Sequence, residues 1–192
     1  MKSWKSSIQE EASTVPADET RIIIESEIHG AQAWAERHGI GCTWIPEILE
    51  LRVVLMQLTG DNRFYLRGRF QDYRALAPEW TFSDENWMQA GRLCDAPNPA
   101  GTQFGASIFI VFENRELSIP KHAVICVPFN RLAYKDGSGP HADWGGPAQW
   151  MEVSRQPQAP GAAPLPVRAE MVGDMLQVIY RDFIRSTGRM GA

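Results

Sequence analysis

From Thr20 onward, apolar side chains recur at three- and four-residue spacings. Ile22, Ile23, Ile24, Ile28, Ala31, Trp34 and Ala35 are interleaved with Glu25, Glu27, Glu36 and Arg37. That is the pattern of an amphipathic helix running to about His38, with Gly39 placed to end it. The period then shortens. Ile48 to Leu58 is rich in Val, Leu and Ile, Thr59 to Asn62 has turn composition, and Phe64 to Phe70 alternates partly between apolar and basic residues. Two such runs around a turn predict a hairpin with one wet face. Pro78 to Phe82 adds a short strand with Trp80 and Phe82 on one face, so a three-strand meander follows the helix.

Ser83 to Gly105 holds three glycines and two prolines and reads as irregular. Ser107 to Phe112 is a continuous apolar run, the pattern of a buried strand, and the polar turn Glu113 to Glu116 separates it from Leu117 to Cys126. Gln156 to Pro166 has linker composition. Beyond it, Val167, Met171, Val172, Met175, Leu176, Ile179, Tyr180 and Phe183 form a helical stripe, with both methionines expected in the core. Parallel crossovers are missing from this order. The expected fold is α/β of the α+β kind: one domain over residues 20–192, an antiparallel sheet of about four strands, and a helix near each end. Residues 1–19 are polar without a period and are expected to form a mobile arm.

Composition narrows the partners. The 192 residues carry a net charge of -4 and no basic cluster interleaved with aromatics, which argues against nucleic acid. No segment has the roughly 18 apolar residues of a membrane span, and the first residues lack a signal peptide's apolar region, so a cytoplasmic protein is expected. Cys42, Cys94 and Cys126 form no Cys-x-x-Cys pair and are too scattered for a disulfide framework. A single functional thiol is the chemistry left open.

Cys126 has the best setting for one. It ends the β-branched run Ala123, Val124, Ile125, and Pro128 prevents a central strand from continuing, so the thiol is expected where a strand leaves the core. Turn residues 136–140 then bring His141, Asp143 and Trp144 onto a loop fifteen residues beyond the cysteine. His141 is a candidate general base, Asp143 a candidate orienter of it, and Trp144 and Trp150 candidate walls of the loop. Cys94 is a second candidate thiol.

Several local words carry a family resemblance. Gly68 to Phe70, Asp72, Tyr73 and then Ala77 to Phe82 resemble the strand, proline-bearing turn and aromatic strand of ubiquitin-conjugating enzymes. Ile125, Cys126, Val127 resembles their motif around the thioester cysteine. ICVPFN, RLAY and GPHADW are most similar to the divergent bacterial branch encoded with ubiquitin-like modifiers. The resemblance spans roughly residues 20–185. It implies a ubiquitin-conjugating fold and a thioester transferase without cofactor. Its partners would be a ubiquitin-like modifier, a ubiquitin-activating-type enzyme and a target protein, and its setting antiviral defence. His141 fits the histidine that the bacterial relatives carry after the cysteine. The family's His-Pro-Asn triplet is absent before Cys126; Ala96, Pro97, Asn98 lies farther upstream, and Asn130 or His122 would have to take the place of its asparagine.

Two other classes fit the same residues. One is a metal-binding module in which His122, Cys126 and His141, with Glu116, hold zinc. The other is a noncatalytic adaptor of the same fold.

Overall fold

The computed structural model describes residues 15–58, 62–99, 107–137, 139–155 and 169–191. It is α+β: an N-terminal helix, a four-stranded antiparallel sheet and a C-terminal helix, with a separate β-hairpin leading into the Cys126 loop. The linker composition at 156–166 and the first fourteen residues of the expected arm lie outside the described residues.

Helix α1 (Ala17–Arg37) buries Thr20, Ile24, Glu27, Ile28, Ala31 and Ala35, one stripe at helical spacing. It starts inside the expected arm. Ile22, 68% exposed, lies off that stripe despite its place in the isoleucine run. Gly39, at φ 66°, ends the helix, where an L side chain would be strained, and the Ile40 N–H reaches back to the Ala35 carbonyl.

Strands β1 (Gly41–Ile45), β2 (Glu50–Met56), β3 (Arg63–Arg69) and β4 (Glu79–Ser83) pair in chain order. The expected three-strand meander gains β1 as an edge strand, because the short turn Pro46–Ile48, with Leu49 at φ 50°, folds Gly41–Ile45 back onto β2. Alternation sets the faces. Leu51, Val53, Leu55, Phe64, Leu66, Trp80 and Phe82 point into the core, while Glu50 is held on the other face by Arg52 and Arg69. Gly68 is required there, since a Cβ would stand 2.8 Å from the Trp80 ring.

Strands β5 (Phe109–Asn114) and β6 (Ile119–Ile125) form a hairpin of their own. The Ser107–Phe112 run is therefore not the fully buried strand its continuous apolarity suggests. Only one face of the hairpin is covered: Phe109 is buried edge-on against Phe82, while Val111 is 47% exposed. Several hydrogen bonds fasten the hairpin to the rest of the molecule. Ala123 N–H donates to the Gly91 carbonyl, and Asp182 accepts from the Ser107 hydroxyl and the Ile108 N–H.

Helix α2 (Trp150–Arg155) follows the site loop, and helix α3 (Val172–Phe183) closes the core with Val172, Met175, Leu176, Ile179 and Phe183. Met171 precedes α3 and is 46% exposed, so only Met175 fills the core as expected. Glu27 joins three parts of this scaffold. Its buried carboxylate accepts from Arg74 Nη2 at 2.5 Å, from Tyr73 Oη at 3.1 Å and from the Val172 N–H at 2.9 Å. Helix α1, the turn at 72–74 and the positive end of α3 thus share one anion. Asp72 and Arg74 sit at φ 61° and 73°, a strained turn that this anion helps hold.

Glu27→Ala removes the acceptor for all three donors. A loss of about 3 kcal/mol is expected in urea unfolding, against about 1 kcal/mol for Tyr73→Phe, which gives up one hydroxyl proton shared between Glu27 and the Glu170 carbonyl and keeps the anion.

Candidate active site

Cys126 stands one residue past β6. Its N–H donates to the Ile108 carbonyl at 2.7 Å, adding one more rung to the hairpin, and Pro128 ends the ladder. Val127, Phe129 and Asn130 are buried, so the loop is anchored on the side away from the thiol. Cys126 itself is half-buried.

Asn130 does the anchoring. Its Nδ2 donates to the carbonyls of Ile125 and Trp80 at 2.7 and 3.0 Å, and its Oδ1 accepts from the N–H groups of Trp80 and Leu132 at 2.9 and 3.3 Å. The side-chain amide pairs with the free edge of β4 as a neighbouring strand would. The Arg131 N–H continues the pairing onto Pro78 O at 2.9 Å. This corrects one expectation: Asn130 cannot take the oxyanion role, because both amide protons and both lone-pair directions are committed inside the protein.

The loop then returns. Tyr134, buried, donates its hydroxyl to the Pro128 carbonyl at 2.7 Å. His141 N–H bonds to Ala133 O, and Lys135 N–H to His141 O, a short bridge that carries the histidine back beside the cysteine. Gly139 is needed at this fold-back, since a Cβ there would overlap the Ala133 carbonyl carbon at 2.3 Å.

These constraints bring three of the expected residues together. Cys126 Sγ lies 2.8 Å from His141 Nε2, and His141 Nδ1 lies 3.2 Å from Asp143 Oδ1. Trp144 stacks on the imidazole at 3.5 Å with the planes 5° apart, and Tyr134 meets Trp144 edge-on. The indole fixes the ring plane while the carboxylate fixes the ring's rotation about it. Tyr134 entered the sequence reading only as the end of RLAY and was given no role at the site, yet it braces both the cysteine loop and Trp144. Apart from that word, its signal was an aromatic residue between two turns. Trp150 is buried, stacks on Tyr73 and donates its indole N–H to the Arg74 carbonyl at 3.4 Å.

Burial pushes the Cys126 thiol up to about 11, and the Asp143 carboxylate adds to the push. The resting sulfur is therefore a neutral thiol at physiological pH. A protonated sulfur at this distance donates to Nε2 in the tautomer whose Nδ1 proton faces Asp143. The pair is arranged for proton transfer at the moment of attack, not for a standing thiolate.

His122 does not join this group. It caps the Pro120 carbonyl on the hairpin and packs edge-on to Phe112. Among the described residues no three His, Cys, Asp or Glu side chains gather at one point as metal ligands, so the set His122, Cys126, His141 and Glu116 is not assembled. Cys94 is exposed on the turn Leu93–Asp95. It borders an open cleft of about 540 Å³ that also includes Arg63, Arg92 and Arg189 and does not reach Cys126. No helix among the described residues is long and apolar enough to cross a membrane. No family model, curated protein or solved structure matches the chain.

Two outcomes are expected of this geometry. Asn130→Ala leaves Trp80, Ile125 and Leu132 backbone groups unpaired and should cost about 3 kcal/mol, read as a lowered unfolding midpoint. With iodoacetamide at about pH 7, His141→Ala should slow labelling of Cys126 by ~10²-fold or more. Labelling should recover as pH rises toward 11, where the thiol ionises unaided. Cys42, also pushed up to about 11 by burial, should follow pH alone in both proteins.

Proposed function

We propose that this chain is a ubiquitin-conjugating-like transferase that carries a ubiquitin-like modifier as a thioester on Cys126 and passes it to an amine of a target protein. The observation that carries this reading is the 2.8 Å contact between the Cys126 sulfur and the His141 imidazole at a strand exit, with Asp143 behind the ring. The short sequence words around Cys126 and Trp80 support it, and the α+β order of helix, antiparallel meander and terminal helix is compatible with it.

In this reading an activating-type enzyme presents the modifier's carboxyl end as a thioester. The Cys126 sulfur attacks that carbonyl carbon, its proton passes to His141 Nε2, and the activating enzyme's sulfur leaves and is reprotonated. A target amine then attacks the new thioester. His141 takes the ammonium proton, the Cys126 sulfur departs, and an amide remains on the target. Asp143 holds the imidazole in the tautomer that both steps need.

A second reading places the thioester on Cys94. Its exposure beside a wide cleft favours it, since a bulky modifier reaches an exposed thiol more easily than a half-buried one.

Incubation with a ubiquitin-like modifier, its activating enzyme and ATP should give an adduct that reducing agent removes. Cys126→Ala should abolish it, Cys126→Ser should convert it to a thiol-resistant ester or slow its formation, and Cys42→Ser should leave it intact. An adduct that survives Cys126→Ala and disappears in Cys94→Ala selects the second reading. Charging by neither thiol leaves the adaptor.

A further inference from the structure

We infer that Cys126, His141 and Asp143 also give this chain a hydrolase activity of its own, directed at thioesters and other activated esters and independent of any activating enzyme. The inference rests on Cys126 being the nucleophile. A carrier that receives its cargo from an activated donor needs only a reachable sulfur. This site supplies more: a base in contact with the sulfur, a carboxylate on the far ring nitrogen, and an indole stacked on the ring face.

Such a base does not distinguish among nucleophiles that arrive at a loaded cysteine. The His141 side chain is partly open to solvent and that of Asp143 is 77% exposed, so water reaches the pair. The steps balance without a further reagent. The Cys126 sulfur bonds to the acyl carbon while its proton moves to Nε2. The tetrahedral adduct collapses, the bond to the leaving thiol or alcohol breaks, and that group takes the proton from Nε2. Water then attacks the acyl carbon, giving a proton to Nε2. The carbon–sulfur bond breaks, and Cys126 recovers its proton. A thioester and water become a carboxylic acid and a thiol.

The backbone sets the substrate class. Strong amide hydrolysis asks for hydrogen-bond donors waiting at the position of the developing oxyanion. Here four backbone donors near the sulfur are already spent. The Cys126 N–H is bonded to Ile108 O, the Val127 N–H to Ile125 O, the Asn130 N–H to Val127 O and the His141 N–H to Ala133 O. The Asn130 amide is committed to Trp80 and Ile125. Acyl groups with good leaving groups require least of that help, which selects thioesters and activated esters over peptide bonds.

The test uses the full chain without ATP or activating enzyme, with p-nitrophenyl acetate and a small acyl thioester as probes. A burst of released leaving group followed by slow turnover is expected, with the acetyl group found on the Cys126 peptide by mass spectrometry. Cys126→Ala should remove the burst, and His141→Ala should lower the acylation rate by ~10²-fold to 10⁴-fold. Asp143→Asn should lower it less, because its carboxylate is solvated, and Cys42→Ser should leave it unchanged. A peptide p-nitroanilide should remain intact. Circular dichroism and thermal melts establish that each variant is folded. Release that persists in folded Cys126→Ala or His141→Ala overturns the inference, as does cleavage of the anilide at a comparable rate. Ester turnover on Cys126 without ATP-dependent charging would uphold the hydrolase and defeat the carrier. Charging that gives a water-stable thioester with no ester turnover would do the reverse.

Discussion

The side-chain amide of Asn130, closed on the backbone of β4 and on the end of β6, is the contact on which the site depends. A chain leaving a hairpin beside the last strand of a sheet would leave that strand's N–H and C=O groups facing a loop, where unpaired polar groups are costly. Asn130 fills the place of a strand with one side chain, using each of its donors and acceptors once. Because the bracket holds Ile125 on one side and Leu132 on the other, it fixes both the position of Cys126 and the start of the return loop. The buried ring of Tyr134 and the Tyr134–Trp144 contact extend that rigidity to the imidazole.

Glu27 does the corresponding work for the scaffold. One carboxylate with three kinds of donor joins two helices that are distant in sequence and a strained turn between them. A buried ion pair of this sort adds less to stability than its short contacts suggest, since both charges lose water. Its effect is geometric: α3 can dock against α1 in only one register that satisfies the Val172 N–H.

At the thiol two influences oppose one another. Burial and the Asp143 charge keep the sulfur protonated, and the imidazole in contact with it offers the proton a place to go. If Cys126 is the nucleophile proposed here, it is held protonated at rest beside a group that can take its proton as an electrophile approaches. In the proposed function that suits the attack on an activated carbonyl, because a strongly acidic thiol leaves well but attacks poorly.

Local sequence determined helices α1 and α3, the antiparallel meander β2 to β4 and the candidate thiol, because these depend on periods of two or about 3.6 residues and on where Pro and Gly interrupt them. The turn composition around residues 136–140 was enough to bring His141 back toward Cys126, since the return path is short. Local sequence did not determine which apolar runs are covered. Ile22, Val111 and Met171 carry the same apolar character as their buried neighbours, and only the packing of α1, the hairpin and α3 decided that they face solvent. Nor could it assign Asn130. An asparagine four residues after a candidate cysteine reads equally well as an oxyanion donor or as a structural amide, and the choice turns on whether a strand edge fifty residues earlier in the chain stands within hydrogen-bonding reach. The same holds for Tyr134, and for the particular stacking on His141 of Trp144, which the sequence offered only as a wall of the loop. Their roles follow from ring contacts across the loop, which exist only once the tertiary fold has closed it.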